Sequence, residues 1–193
     1  MRANESLLDL LVELQTLDRI PRAGFLLRGV VDGESVTEHS WHVLFLVWAL
    51  GGRVAGLDLS RALGMALVHD LAELRIGDLP RTAARYFPAG AKSAAEAAAM
   101  ADLLAPLPEQ GLLLHDEYQS GKTLEARLVK ACDKLQLMLK VAVYEAWGCG
   151  GGLAEFWHNP DNFPDCGPGS GLEVVDQLFE ELRQRRARAV PGL

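Results

Sequence analysis

Along most of the chain apolar residues recur every three or four positions, and the alternating β-branched runs of half-buried strands are nearly absent, so the pattern predicts an all-α fold. A first helix is expected over residues 5–17, with Leu7, Leu11 and Leu14 on its inner face. The stretch IPRAGFLLRGVVDGES is too rich in Pro and Gly to continue it and reads as a long ordered loop. Ser35 and Glu38 form an S-x-x-E capping box, which starts a second helix running to Gly51-Gly52 and sets His39 in its first turn. Ser60 is the expected cap of a third helix, which carries MALVHDLAELRIGDLP and frays near Gly77 and Pro80. A second capping box, Ser93 and Glu96, opens the Ala-rich helix SAAEAAAMADLLA.

Pro106 and Pro108 then break the chain before a short helix that ends at Ser120-Gly121, and Thr123 begins a long one that stops at GCGGG. Its inner face is expected to hold Leu128, Cys132, Leu135, Leu139 and Val143. Residues 158–171 form a Pro-, Gly- and Asp-rich loop. A final amphipathic helix ends in RQRRARAV, a solvated basic end that suits the helix dipole.

Length and composition narrow this picture. A chain of 193 residues, 49% hydrophobic and 23% charged, fits one folded domain over 1–193. A net charge of −7 argues against sequence-independent binding to nucleic acid, which needs a basic surface. No run approaches the ~20 apolar residues of a membrane span, and MRANESLLDLLVELQ has no basic leader before an apolar stretch. Cys132, Cys149 and Cys166 form no CxxC pair, which points to reduced thiols in the cytoplasm, with Cys132 a small core residue.

The chemistry concentrates where an apolar helix carries polar groups that it should not. His69, Asp70, Glu73 and Asp78 lie within ten positions directly after the run M-A-L-V. On an α-helix His69 and Glu73 share a face and Asp70 sits beside them. A buried carboxylate needs a partner, and imidazole nitrogen with carboxylate oxygen is a donor set for Mn, Co, Zn or Fe, whereas oxygen alone would suit Mg or Ca. Further ligands must come from elsewhere: His39 stands in a first turn, and Asp133 interrupts the apolar face in VKACDKLQLML.

The ordered series His39, His69-Asp70, Asp133 resembles that of the HD superfamily of metal-dependent phosphohydrolases. The surrounding text, IPRAGF, LLRGV, ESVTEHSWHV, ALVHDLAELRIGDLP, K92-S-A-A-E96, EYQ, EARLVKACDKLQLML and YEAW, is similar to the branch containing 5′-deoxynucleotidases over a motif-bearing core of residues 7–147, leaving a C-terminal loop and helix over 148–193. This resemblance implies an HD-domain helical bundle, usually a homodimer, with a mononuclear metal site between helices. It assigns His39, His69, Asp70 and Asp133 as ligands of one divalent Mn, Co, Zn or Fe ion, Glu73 and Asp78 as catalytic carboxylates, and Arg22 as a phosphate-binding residue.

Relatives of this type carry a Trp directly after the loop arginine; here Ala23 stands there, and Phe25 is the residue expected to wall the sugar. The implied activity is release of phosphate from a (deoxy)nucleoside 5′-monophosphate by an activated water, which Asp78 or Glu73 would orient or deprotonate. Arg19, Arg28 and Arg81 are further candidates for the phosphate. Two other readings remain open at this point: action on a different small phosphate ester, and a non-catalytic nucleotide-binding module. His42 is read as structural, His115 as partly exposed and His158 as a loop residue.

Overall fold

The computed structural model describes residues 6–189. In order they form α1 (Leu7–Leu14), a 3-10 segment (Gln15–Arg19), α2 (Ala23–Leu26), α3 (Val36–Gly51), α4 (Leu59–Val68), α5 (Glu73–Ile76), α6 (Arg81–Ala84), α7 (Ala91–Leu103), α8 (Gln110–Ser120), α9 (Leu124–Ala146), α10 (Ala154–His158), a 3-10 turn (Pro160–Asn162) and α11 (Glu173–Ala189). The fold is all-α. Among the described residues strand pairing is confined to one isolated bridge between Pro21 and Ser35.

The long helix α9 is the axis of the bundle, with α3, α4, α8 and α11 packed around it. It earns that position by its sequence: Leu128, Cys132, Leu135, Met138 and Val141 are all buried, and the Thr123 hydroxyl accepts from the Ala126 N–H to start it. One apolar core joins α2, α3, α4, α9 and the C-terminal helix, whose Val175, Phe179 and Leu182 lie in it. At its start α3 has the expected capping box: the Ser35 hydroxyl accepts from the Glu38 N–H, and Glu38 Oε2 accepts from the Ser35 N–H at 2.7 Å.

Several local expectations give way to tertiary packing. The first helix ends at Leu14 and tightens into the 3-10 segment, which brings Leu10 and Leu17 into the core. Leu7 and Leu11 remain 49% and 48% exposed, and Leu14 is intermediate, so the expected inner face is wrong; residue 5 of that helix lies outside the described residues. The long loop contains the single turn α2. Asp58, not Ser60, caps α4: its side chain accepts from the Arg61 N–H while its own N–H donates to Glu125 on α9.

Gly90, with φ +79°, precedes α7 in place of the Ser93 box, and Glu96 pairs with Lys92 instead. On α9 the apolar face turns away from Leu139 and Val143, which are partly exposed, toward Met138, Val141 and Tyr144. His115 is buried, and His158 is the last residue of α10. The basic C-terminal end is not wholly solvated, because Arg186 makes two hydrogen bonds to Glu145 and lies over the Trp157 ring.

The candidate metal centre

The opening motif is where the chain departs most usefully from a continuous helix. α4 stops at Val68, and the N–H groups of Leu71, Glu73, Leu74 and Arg75 reach back three residues, not four. Over 3-10 turns residues three apart align and residues four apart diverge. Glu73 therefore comes under Asp70 and not under His69, a correction to the α-helical reading. Gly77, at φ +72°, ends α5 in a conformation that a side chain would resist, and the chain leaves toward Asp78.

Three other elements close on this turn. His39 enters from the first turn of α3 and is wholly buried. Its Nε2 lies 3.5 Å from His69 Nε2, 3.3 Å from Asp70 Oδ2 and 3.3 Å from Asp133 Oδ1, the last carried by α9. His69 Nε2 is 3.4 Å from Asp70 Oδ2. The antiparallel bridge brings in the fourth element: the Arg22 N–H donates to Glu34 O and the Val36 N–H to Ile20 O, which holds the Arg22 side chain over the site. Arg22 Nη1 is 3.3 Å from Asp70 Oδ2 and 3.9 Å from Asp78 Oδ1, while Asp78 Oδ2 accepts from the Ala23 N–H at 2.6 Å.

Charge and burial oppose each other throughout this cluster. Burial resists the charges of Asp70 and Asp133, yet neighbouring imidazoles and basic side chains overrule it: His69, His39 and Arg22 for Asp70; Lys134, His39 and Arg22 for Asp133. Both are held below the usual carboxylate range. Burial also opposes the Arg22 charge, and Asp70, Asp78, Glu73 and Asp133 together raise its pKa. For Glu73 the compensation falls short: burial, then the charges of Asp70 and Asp78, push it up to about 9 against the opposing charges of Arg22 and Lys92, and its buried Oε2 has no hydrogen-bond partner among the described residues. His39 is raised to about 9 although burial and Arg22 oppose it, because hydrogen bonds to Asp133 and Asp70 favour the charged ring.

These donors fit a divalent ion. Neighbouring ligand atoms bound at about 2.0–2.2 Å to one centre sit roughly 3–3.5 Å apart, which is the spacing found around His39 Nε2. His39, His69 and Asp70 meet the geometric requirement as a trio, and Asp133 touches the trio through His39. His69 presents Nε2 inward because its Nδ1 donates to Ala66 O at 2.8 Å, and the Tyr118 ring packs edge-on against it at 5.7 Å. His42 takes no part: its buried Nδ1 has no hydrogen-bond partner among the described residues, and its ring packs on Trp41.

Phe25 is not brought to the site. It is 1% exposed, edge-on to Tyr144 and stacked on Phe156 in the core. Arg28 is paired with Glu155 and Arg81 with Asp161. Glu34 and Gln136, both buried behind His39, escaped the sequence reading; Gln136 had a signal, since it interrupts an apolar helix face just as Asp133 does.

Comparison with known proteins identifies the family and the fold. The HD-domain family profile matches residues 14–149. A bovine protein named 5′-deoxynucleotidase HDDC2 is 32% identical, the match covering 99% of this chain and 91% of the relative. The mouse protein of that name is 33% identical over 91% of this chain and 89% of its own length. A solved structure of a conserved hypothetical protein from Pyrococcus furiosus superposes with a TM-score of 0.76 at 34% identity, covering 90% of this chain and 99% of that one. The chain thus belongs to the HD-domain family, alongside its 5′-deoxynucleotidases.

Proposed function

We propose that this protein is a metal-dependent 5′-nucleotidase that releases phosphate from deoxynucleoside 5′-monophosphates. The observation that carries the reading is the convergence of His39, His69 and Asp70, whose facing atoms lie 3.3–3.5 Å apart, with Asp133 3.3 Å from His39 and Arg22 3.3 Å from Asp70. A divalent ion held there supplies Lewis acidity and a water of lowered pKa. Arg22, with five N–H donors and only two carboxylates near Nη1, keeps donors for a phosphate and offsets the acidic surroundings.

Asp78 is fixed by the Ala23 N–H next to Arg22, and Glu73 lies buried behind Asp70. Between them they handle the protons of hydrolysis: one takes a proton from the attacking water, and the other returns one to the 5′-oxygen as the P–O bond breaks. Mn, Co, Zn and Fe all suit the two-nitrogen, two-carboxylate set. Ala23 in place of the Trp and the burial of Phe25 leave the deoxyribose without an aromatic wall from this loop. Phosphate release from paired ribo- and deoxyribonucleoside 5′-monophosphates tests the reading; activity restricted to diesters or other phosphate esters would overturn it.

The working form we infer is a homodimer of one-domain chains in the cytoplasm. The outer face of α3 carries Trp41, Phe45 and Trp48 at helical spacing, 60%, 50% and 58% exposed, and with Leu63 and Leu67 of α4 they line a hollow of about 460 Å³. At ~150–250 Å² per aromatic side chain the three expose roughly 300–400 Å², about half of one partner's share of a standard interface. Three unpaired cysteines suit a reducing compartment. No helix among the described residues is long and apolar enough to cross a membrane.

A further inference from the structure

His39 is wholly buried, so both ring nitrogens depend on a few fixed neighbours. Nε2 faces the ligand cluster. Nδ1 lies 2.6 Å from Gln136 Oε1. To offer Nε2 as a lone pair, the neutral ring must carry its proton on Nδ1, and the group facing Nδ1 must be an acceptor.

A carboxamide can present either an oxygen or an NH₂ group, and what decides between them lies one residue further out. Glu34 Oε2, which in a carboxylate only accepts, is 2.9 Å from Gln136 Nε2. The NH₂ must therefore point to Glu34 and the oxygen to His39. Glu34 is itself buried, and its charge is held by Lys140 Nζ at 3.1 Å on the same Oε2. Its backbone N–H donates to the Tyr144 hydroxyl at 2.7 Å. Glu34 Oε1 is 3.9 Å from His39 Nδ1, too far to replace the amide as acceptor. Gln136, Lys140 and Tyr144 recur every four residues on α9, the helix that also supplies Asp133 three residues earlier.

We propose that Gln136 and Glu34 are positioning residues: Lys140 donates to Glu34, Glu34 orients the Gln136 amide, and Gln136 holds His39 in the tautomer that presents Nε2 to the metal. His69 needs no such chain, because a backbone carbonyl does the same work there. This inference rests on the reading of His39 as a metal ligand.

The test is titration of the metal-free chain with Co²⁺, whose visible absorption reports its ligands, in the wild type, Gln136→Glu, Glu34→Gln and the exchanged double variant Glu34→Gln/Gln136→Glu. Each single change is expected to weaken Co²⁺ binding about 10- to 100-fold, the range for groups that hold a ligating histidine. The first sets two carboxylates together, and the second frees the amide to turn. The double variant restores an acceptor on Nδ1 and a donor behind it, so it is expected to bind within a few-fold of wild type and to recover its spectrum. A structural role alone would make the double variant worse than either single one. Wild-type affinity in both single variants, or no recovery in the folded double variant, overturns the proposal. A wild-type chain that binds no Co²⁺ overturns instead the ligand reading beneath it.

Discussion

Replacing Glu73 by Gln should stabilise the metal-free protein while it disables the loaded one. In the fold Glu73 titrates at about 9 against an ordinary 4.5, so its contribution is intact below pH 4.5 and is lost as pH rises through 9. Over that window the unfolded chain gives up its proton and the fold keeps it, at about 1.4 kcal/mol per pH unit. At about pH 7.5 this comes to at most ~4 kcal/mol, which Gln, with the same shape and no proton to lose, does not forfeit. A domain of this size gains roughly 2–4 °C in Tm per kcal/mol, so melting would rise by as much as ~8–16 °C near pH 7.5 and by only ~1–3 °C near pH 5. His39, raised from 6.5 to about 9, adds a loss of the same sign above pH 6.5. It is present in both proteins and cancels in the comparison. Thermal melts followed by circular dichroism in chelator, from about pH 5 to pH 8.5, decide the matter. A Gln variant that melts at or below wild type near pH 7.5, or that differs from it equally at both ends of the range, would refute the reasoning.

Asp133→Ala should lower metal content per chain by elemental analysis and abolish phosphate release, with Asp70 and both histidines still in place; undiminished content would remove Asp133 from the ligand set. Arg22→Lys keeps the charge but loses the planar fork, and is expected to raise KM at least tenfold while the loaded metal is retained. Trp41→Arg on the outer face of α3 should turn a dimer into a monomer by sedimentation without lowering metal content, because none of the ligand candidates lies on that face.

How much was legible in advance depended on how local the cause was. The Ser35–Glu38 box and the Thr123 cap involve residues three apart in sequence, and both hold. Asp58 makes a cap of the same span, from the Arg61 N–H, but Ser60 two residues on offers the same chemistry, and the bond from the Asp58 N–H to Glu125 on α9 that adds to the first is not local. The break at His69 was invisible because Leu71, Ala72 and Leu74 continue the apolar pattern whether the turns close on three residues or four. Asp133 stood out as a charge on an apolar face. Gln136 carries a weaker form of the same signal, and Glu34, in a loop, carries none; the bridge from Pro21 to Ser35 and its bonds to Gln136, Lys140 and Tyr144 of α9 set it beside His39.

The central claim is that His39, His69, Asp70 and Asp133 hold one ion on which hydrolysis depends. Its most direct test takes chelated protein, restores Mn²⁺, Co²⁺ or Zn²⁺ in steps, and measures bound metal and phosphate released from a deoxynucleoside 5′-monophosphate on the same samples. Release that climbs in proportion to occupancy and levels off at one ion per chain is the predicted result. Release by the stripped protein, or none from the fully loaded one, would contradict it.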